Sequence, residues 1–243
     1  TNGHAFFGII YATADYLNSG GNFPSGSLGA PSITFVGDED TGIYRKGSGS
    51  VAFVADATEI ANTDSNGLTI SSGNLILPDS IIHSGDTNTK IRFPAADTLT
   101  IETSGSERLK VDSSGRVLVG HSTARTNIAG INDPQIQLEG LSSDDSSFSL
   151  IRNTNNAFGG NIVLGKTRGG SVGSNTAVQN GDDIGNIRFA AADGTDIDCE
   201  VANIKAEIDG TPGSNDTPGR LSFHTTADGA TNATERVRIT STG

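Results

Sequence analysis

The sequence predicts an all-β fold, elongated and repeat-containing, built of short meander strands in a β-prism or β-helix-like body. Three observations lead there. A nine-residue stretch recurs, Glu107–Gly115 (ERLKVDSSG) and Glu235–Gly243 (ERVRITSTG), with a weaker copy at Glu59–Gly67 (EIANTDSNG). In the two strong copies Leu109/Val111 and Val237/Ile239 alternate with Arg or Lys, the period of a half-buried strand, and a Ser/Thr/Asn-Gly turn closes each. No stretch carries a convincing 3.6-residue period. The apolar supply is thin: Ile, Leu, Val and Phe make up about 23% of 243 residues, just above the ~20% below which chains tend to disorder. A compact monomer needs more apolar surface than this to offset chain entropy. The core is therefore expected to be shallow and repeated, or shared between chains.

Residues 1–30 form an N-terminal attachment or linker segment. It opens with an apolar patch at residues 4–11, read as a strand in preference to a short helix, and passes into Asn18-Ser19-Gly20-Gly21, a flexible composition. Residues 31–120 hold two tandem β repeats, 43–67 and 91–115. Ile43 matches Ile91, Val51 matches Leu99, Phe53 matches Ile101, Glu59 matches Glu107 and Gly67 matches Gly115, always at an offset of 48. Residues 121–184 form a β-rich middle region with expected strands at Pro134–Glu139, Phe148–Arg152 and Asn161–Gly165, then a long Gly/Ser/Asn loop. Residues 185–243 are an expanded third repeat. Ile187-Arg188-Phe189 matches Ile91-Arg92-Phe93, Leu221-Ser222-Phe223 matches Leu99-Thr100-Ile101, and the insertion between them contains an expected strand at Cys199–Ile208. Length variation is expected to fall in turns, where it costs little.

Composition excludes some functions. Sixteen basic against twenty-eight acidic residues give a net charge of −12, the reverse of a nucleic-acid footprint. The single cysteine, Cys199, makes no intrachain disulfide, and no apolar run approaches the ~18 residues of a membrane helix. No nucleic acid and no membrane insertion are expected among its partners. A chain that begins at Thr1 without an initiator Met is expected to belong to something longer.

The chemistry-bearing residues do not converge in sequence. The carboxylates Asp38/Glu39/Asp40, Asp144/Asp145, Asp182/Asp183 and Asp193/Asp196/Asp198 fall in turn-like stretches, and no calcium-loop pattern is present. His4, His83, His121 and His224 lack ligand spacing. Neither a nucleophile elbow nor a phosphate loop occurs. We therefore expect no enzymatic activity, no catalytic residues, no cofactor and no metal. With no Trp and only three Tyr, stacking platforms for a glycan are scarce. Lys166–Asp183 and Asp209–Gly219 are the better candidates for surface recognition. Glu107–Arg108 and Glu235–Arg236 are candidates for ion pairs between subunits, against the alternative of a solvated strand face.

Several stretches resemble a known family: Asp40-Thr41-Gly42-Ile43-Tyr44, the run from Ser106 to Gly120, the run from Gly181 to Phe189, and above all Asp209-Gly210-Thr211-Pro212-Gly213 through Leu221 followed by Thr234–Ile239. These are similar to tail-fibre and related appendage proteins of tailed bacteriophages, marine and cyanobacterial phages in particular. The resemblance spans roughly residues 30–243. It implies a homotrimer and a structural virion protein, a tail fibre that forms a shaft or tip and serves host recognition and adsorption. It implies as partners the chain's own copies, other virion or tail proteins, and a host surface glycan or protein. It places the protein on the virion, at the tail or capsid surface, outside the cell. Such repeats commonly precede an endosialidase-type (S74) chaperone, absent here; its release, a truncation or local disorder would account for the stop at Gly243. A capsid-associated decoration fibre and a polysaccharide-degrading tailspike are the alternatives.

Overall fold

The protein is described from a computed structural model covering residues 23–243; the strand expected at residues 4–11 lies outside the described residues. The described residues contain strands and turns and no helix. They fall into two compact units, one ending at Leu77 and the other spanning Pro78–Gly243.

In the first unit, β1 (Ile33–Phe35), β2 (Asp38–Gly47), β3 (Ser50–Ala55), β4 (Thr58–Asp64) and β5 (Gly67–Ile70) pair in sequence order as one antiparallel meander. The second unit begins with β6 (Ser80–His83), β7 (Asp86–Arg92), β8 (Leu99–Thr103), β9 (Ser106–Val111) and β10 (Val117–Val119), again a meander, to which β11 (Ile136–Leu138) adds in parallel. The 48-residue offset carries over strand by strand. Ile33 pairs with Ile43 and Ile43 with Phe53; 48 residues on, Ile81 pairs with Ile91 and Ile91 with Ile101. The repeat thus reaches one strand further back than residues 43–67 and 91–115.

The third sheet contains β12 (Asp183–Ala191), β13 (Cys199–Ile208), β14 (Gly219–Thr225) and β15 (Thr234–Ile239) in meander order. Here the insertion is more than a longer turn. β13 is a full strand pairing with β12 on one edge and β14 on the other. One added strand reverses the direction of every later strand in a meander, so β14 and β15 run opposite to β8 and β9 relative to their shared first strand. The apolar register survives the reversal, because residues directly opposite one another share a face whichever way a strand runs.

Two local features explain why these residues turn where they do. Ser104 and Gly105 both have positive φ (52° and 72°), the two-residue hairpin turn that matches strand twist. Asp56 and Ala57 occupy the same turn in the first repeat, with φ of 49° and 52°, although neither is glycine. Gly42, in the Asp-Thr-Gly-Ile-Tyr stretch, has another reason to be glycine: a Cβ there would sit 1.8 Å from the carbonyl oxygen of Ile33, so β1 closes on β2 only without a side chain.

Each sheet buries the face opposite to the one its composition suggests. Ala52, Thr100 and Ser222, equivalent in the three repeats, are at most 1% exposed, as is Leu118 of β10 on the same face as Thr100. Each of the three equivalent positions holds a small residue flanked across the ladder by long polar neighbours: Tyr44 and Asn62, Arg92 and Lys110, Lys205 and Arg238. Those side chains close over the small one.

Ala57→Gly is expected to stabilise the first unit by about 1 kcal/mol, since it relieves a left-handed alanine. Gly105→Ala is expected to destabilise the second unit by a similar amount. Urea unfolding of the two variants should move the midpoints in opposite directions.

Candidate interaction faces

The opposite face of every sheet is apolar and largely uncovered, with Ala61 and Ile208 its buried members. In the six-stranded sheet one cross-strand row runs Ile81–Ile91–Ile101–Leu109–Val119–Leu138 through all six strands, beside a second of Leu99–Val111–Val117–Ile136. Ile136 is 76% exposed and Ile81 51%. The third sheet carries Ile187–Ile204–Phe223–Val237 across its four strands, and the first carries Ile33–Ile43–Phe53–Ala61–Ile70 across five. Large aliphatic and aromatic side chains in register across a sheet are what a core face is made of. Here they meet solvent.

A β-bulge edges each of these faces at the same place in the repeat. The register slips between Phe53 and Val54, between Ile101 and Glu102, and between Phe223 and His224. The extra residue on the facing strand is Ile60, Arg108 or Arg236. The bulge changes the parity of the strand, so Glu107 and Leu109, two apart, lie on opposite faces. The Glu of the repeated stretch therefore belongs to the polar face, although simple alternation would place it with the leucine.

The arginines are not paired with the adjacent glutamates. The Nε of Arg108 donates to Thr103 Oγ1 at 2.9 Å, and the Nε of Arg236 donates to the equivalent Thr225 Oγ1 at 2.9 Å. Where Ile60 replaces the arginine, Ala55 replaces the threonine, so the pair changes together from polar to apolar. The three glutamates have separate surroundings. Glu235 pairs with Arg238 at 2.7 Å. Glu107 lies across from Glu102, with one buried carboxylate oxygen lacking a partner. Glu59 accepts from Lys46 (2.8 Å), Ser71 (2.6 Å), Asn62 (2.8 Å) and Tyr44 (3.2 Å). The Lys46 hydrogen bond, then those of Ser71 and Asn62, hold Glu59 down at about 2 against an ordinary value of 4.5.

The acidic stretches serve mainly as turn acceptors and ion-pair partners. Asp145 accepts from the backbone and hydroxyl of Ser142, Asp193 from the amides of Thr195 and Asp196, and Asp198 from the amide of Gly130. Asp182 is clamped by two nitrogens of Arg168 (2.7 and 2.6 Å), which drives its carboxyl well below the usual range. That clamp folds Lys166–Asp183 back on itself. The Asp209–Gly219 loop is tied down likewise: the amide of Ser241 donates to Asp209, and Arg220 pairs with Asp209. Asp38 and Asp40 approach Asp56, whose part the sequence did not indicate, with carboxylate oxygens within 4.8 Å of one another. His121 bonds the Thr123 carbonyl and His224 the Ser222 hydroxyl. The residues 125–139, together with β12, line a groove of about 720 Å³ in the second unit, with Ile128, Ile131, Ile136 and Leu138 on its apolar walls and Arg125, Glu139 and Arg188 at its edges.

No family model matches the chain, and no curated protein matches it. Solved structures similar to the chain include two of one phage fibre. One is the carboxy-terminal domain of the bacteriophage T5 L-shaped tail fibre together with its intra-molecular chaperone domain: TM-score 0.52, 12% identity, 72% of this chain and 60% of that chain covered. The other is the carboxy-terminal domain of the same fibre: TM-score 0.46, 13% identity, 76% of this chain and 71% of that chain covered. The first shows that the fold is of the phage tail-fibre type. This chain spans less than two thirds of that chaperone-bearing chain.

Glu59 predicts a pH dependence. A carboxyl whose pKa falls on folding stabilises the folded state fully above its unfolded value and loses that contribution as pH falls through the folded value. The first unit is thus expected to lose stability from about pH 4.5 down to about 2, and Glu59→Gln should flatten that slope in thermal melts. A double-mutant cycle on Arg108→Ala and Thr103→Ala should return a coupling of about 0.5–1 kcal/mol, since the pair is exposed.

Proposed function

We propose that the chain is a structural component of a phage tail fibre, a homotrimer that forms part of its shaft or tip and takes part in host adsorption. The observation that carries this is the inverted burial of all three sheets. Each presents an in-register apolar face that nothing in its own sheet covers, and each large side chain fully covered on assembly contributes about 1.5–3 kcal/mol. Contiguous exposed apolar rows mark association surfaces. A second copy supplies the same rows. Closed symmetry is the usual outcome of self-association, and the number three follows from the tail-fibre resemblance. The tail-fibre-type fold supports placing the protein on the virion, outside the cell. The clamped loops at Lys166–Asp183 and Asp209–Gly219 are its candidate contacts with other virion proteins or with a host surface glycan or protein.

We assign no catalytic role: most of the acidic stretches engage turns and basic side chains, and the remaining cluster of Asp38, Asp40 and Asp56 lies partly open to solvent on the first sheet. Incubation with host surface polysaccharide is expected to leave its chain length unchanged; shortening would establish a depolymerase.

Light scattering should return three times the 24.9 kDa chain mass. Ile101→Glu and Phe223→Glu, each placing a carboxylate in an apolar row, should shift the protein to smaller species while circular dichroism keeps its strand signal. A wild-type protein that remains a 24.9 kDa monomer at micromolar concentration would overturn the reading.

A further inference from the structure

Residues 147–165 stand apart from the sheets. They include both stretches whose composition predicts strands, Phe148–Arg152 and Asn161–Gly165, yet neither belongs to a ladder. Among the described residues, no backbone amide or carbonyl between 147 and 165 bonds to another backbone group; the bonds present are local, the Phe158 amide to the side chain of Asn156 and the side chain of Asn161 to the Gly159 carbonyl.

The two stretches nevertheless lie side by side. A Cβ built on Gly160 would meet Leu150 at 3.4–3.6 Å, and the Arg152 guanidinium sits over the Phe158 ring, 6.0 Å from its centroid. Leu150 with Gly160 and Arg152 with Phe158 are successive positions of one antiparallel register. The register is present and the hydrogen bonds are not. Each stretch also has adjacent apolar residues, Leu150-Ile151 and Ile162-Val163-Leu164, the pattern of a strand covered on both faces. All five are exposed, Ile151 at 80% and Val163 at 85%. Leu164 approaches Gly185 of β12, whose apolar face is itself bare.

We propose that residues 147–165 are an exchange element: its two stretches pair as β-strands with the same element of neighbouring copies, interlacing the chains. The inference rests on the self-assembly reading above and adds which backbone carries it. The charge distribution names the occupant. No carboxylate lies between Asp145 and Asp182, and Arg152 is the only charged side chain from 147 to 165, on a chain of net charge −12. This segment can approach its own copies without the repulsion that other parts of the chain would meet. Interchain ladders would satisfy the unpaired backbone and remove an exposed strand edge, and interlacing would bring neighbouring copies against the apolar faces.

Hydrogen exchange on the full chain, with light scattering on the same sample, tests this. In a trimer, amides of 148–152 and 161–165 should exchange at least about 100-fold more slowly than open chain. Closure of the hairpin within one chain is distinguished by Ser149→Cys with Asn161→Cys in a Cys199→Ser background, positions opposite one another in the register described. Oxidation should give covalent dimers and trimers on a non-reducing gel. A trimer whose 147–165 amides exchange at open-chain rates overturns the exchange element and leaves self-assembly standing. An intrachain disulfide alone, or no interchain product, overturns it likewise. A monomer removes both.

Discussion

A single β-sheet can cover one of its faces with its own long side chains, but not both, and the whole structure follows from which face that is. Here the covered face is polar. Ala52, Thr100 and Ser222 sit beneath Tyr44, Arg92, Lys110, Lys205 and their neighbours, and the aliphatic stems of the charged residues provide the cover. The apolar rows are left on the other side. No helix layer or second sheet of the same meander is there to receive them, so the energy that ordinarily folds a domain remains available for association.

The polar faces are held by charge networks rather than by packing. Lys90 and Arg92 reach Glu102 at 3.3 and 3.6 Å while Arg92 also holds Asp79 at 3.0 Å. In the third sheet Lys205 bridges Asp183 (2.6 Å) and Glu207 (3.1 Å), and Arg220 continues from Glu207 (3.1 Å) to Asp209 (3.3 Å). Exposed pairs contribute little singly. Linked across neighbouring strands, these fix register on a face with few buried apolar side chains, Leu118 being the largest.

The bulge at the edge of each apolar face links repeat to architecture. It lets a glutamate and a leucine two residues apart occupy opposite faces, and it sets Arg108 and Arg236 against a threonine at the rim of the apolar rows. Where the rim residue is Ile60, the apolar surface extends further and the threonine is absent. The edge of each face is thus tuned by two residues that change together.

The repeat, the strand–turn character and the absence of helices among the described residues were legible in the sequence, because period-two alternation and Gly-closed turns are local properties. So was the apolar shortage, which calls for a shallow, repeated core or for one shared between chains. The added strand β13 could be located by composition, but not its effect on strand direction, which depends on pairing. The bulge was hidden as well: Glu-Arg-Leu-Lys-Val reads as unbroken alternation, and only the facing strand reveals that one residue has no partner. Phe148–Arg152 and Asn161–Gly165 read as strands because composition records a preference for extended backbone, and no ladder for them exists among the described residues because a strand is made by its neighbour. Local chemistry determined which residues are extended. Which face is covered, and whether a strand has a partner, was decided only by tertiary structure, since both depend on residues distant in sequence.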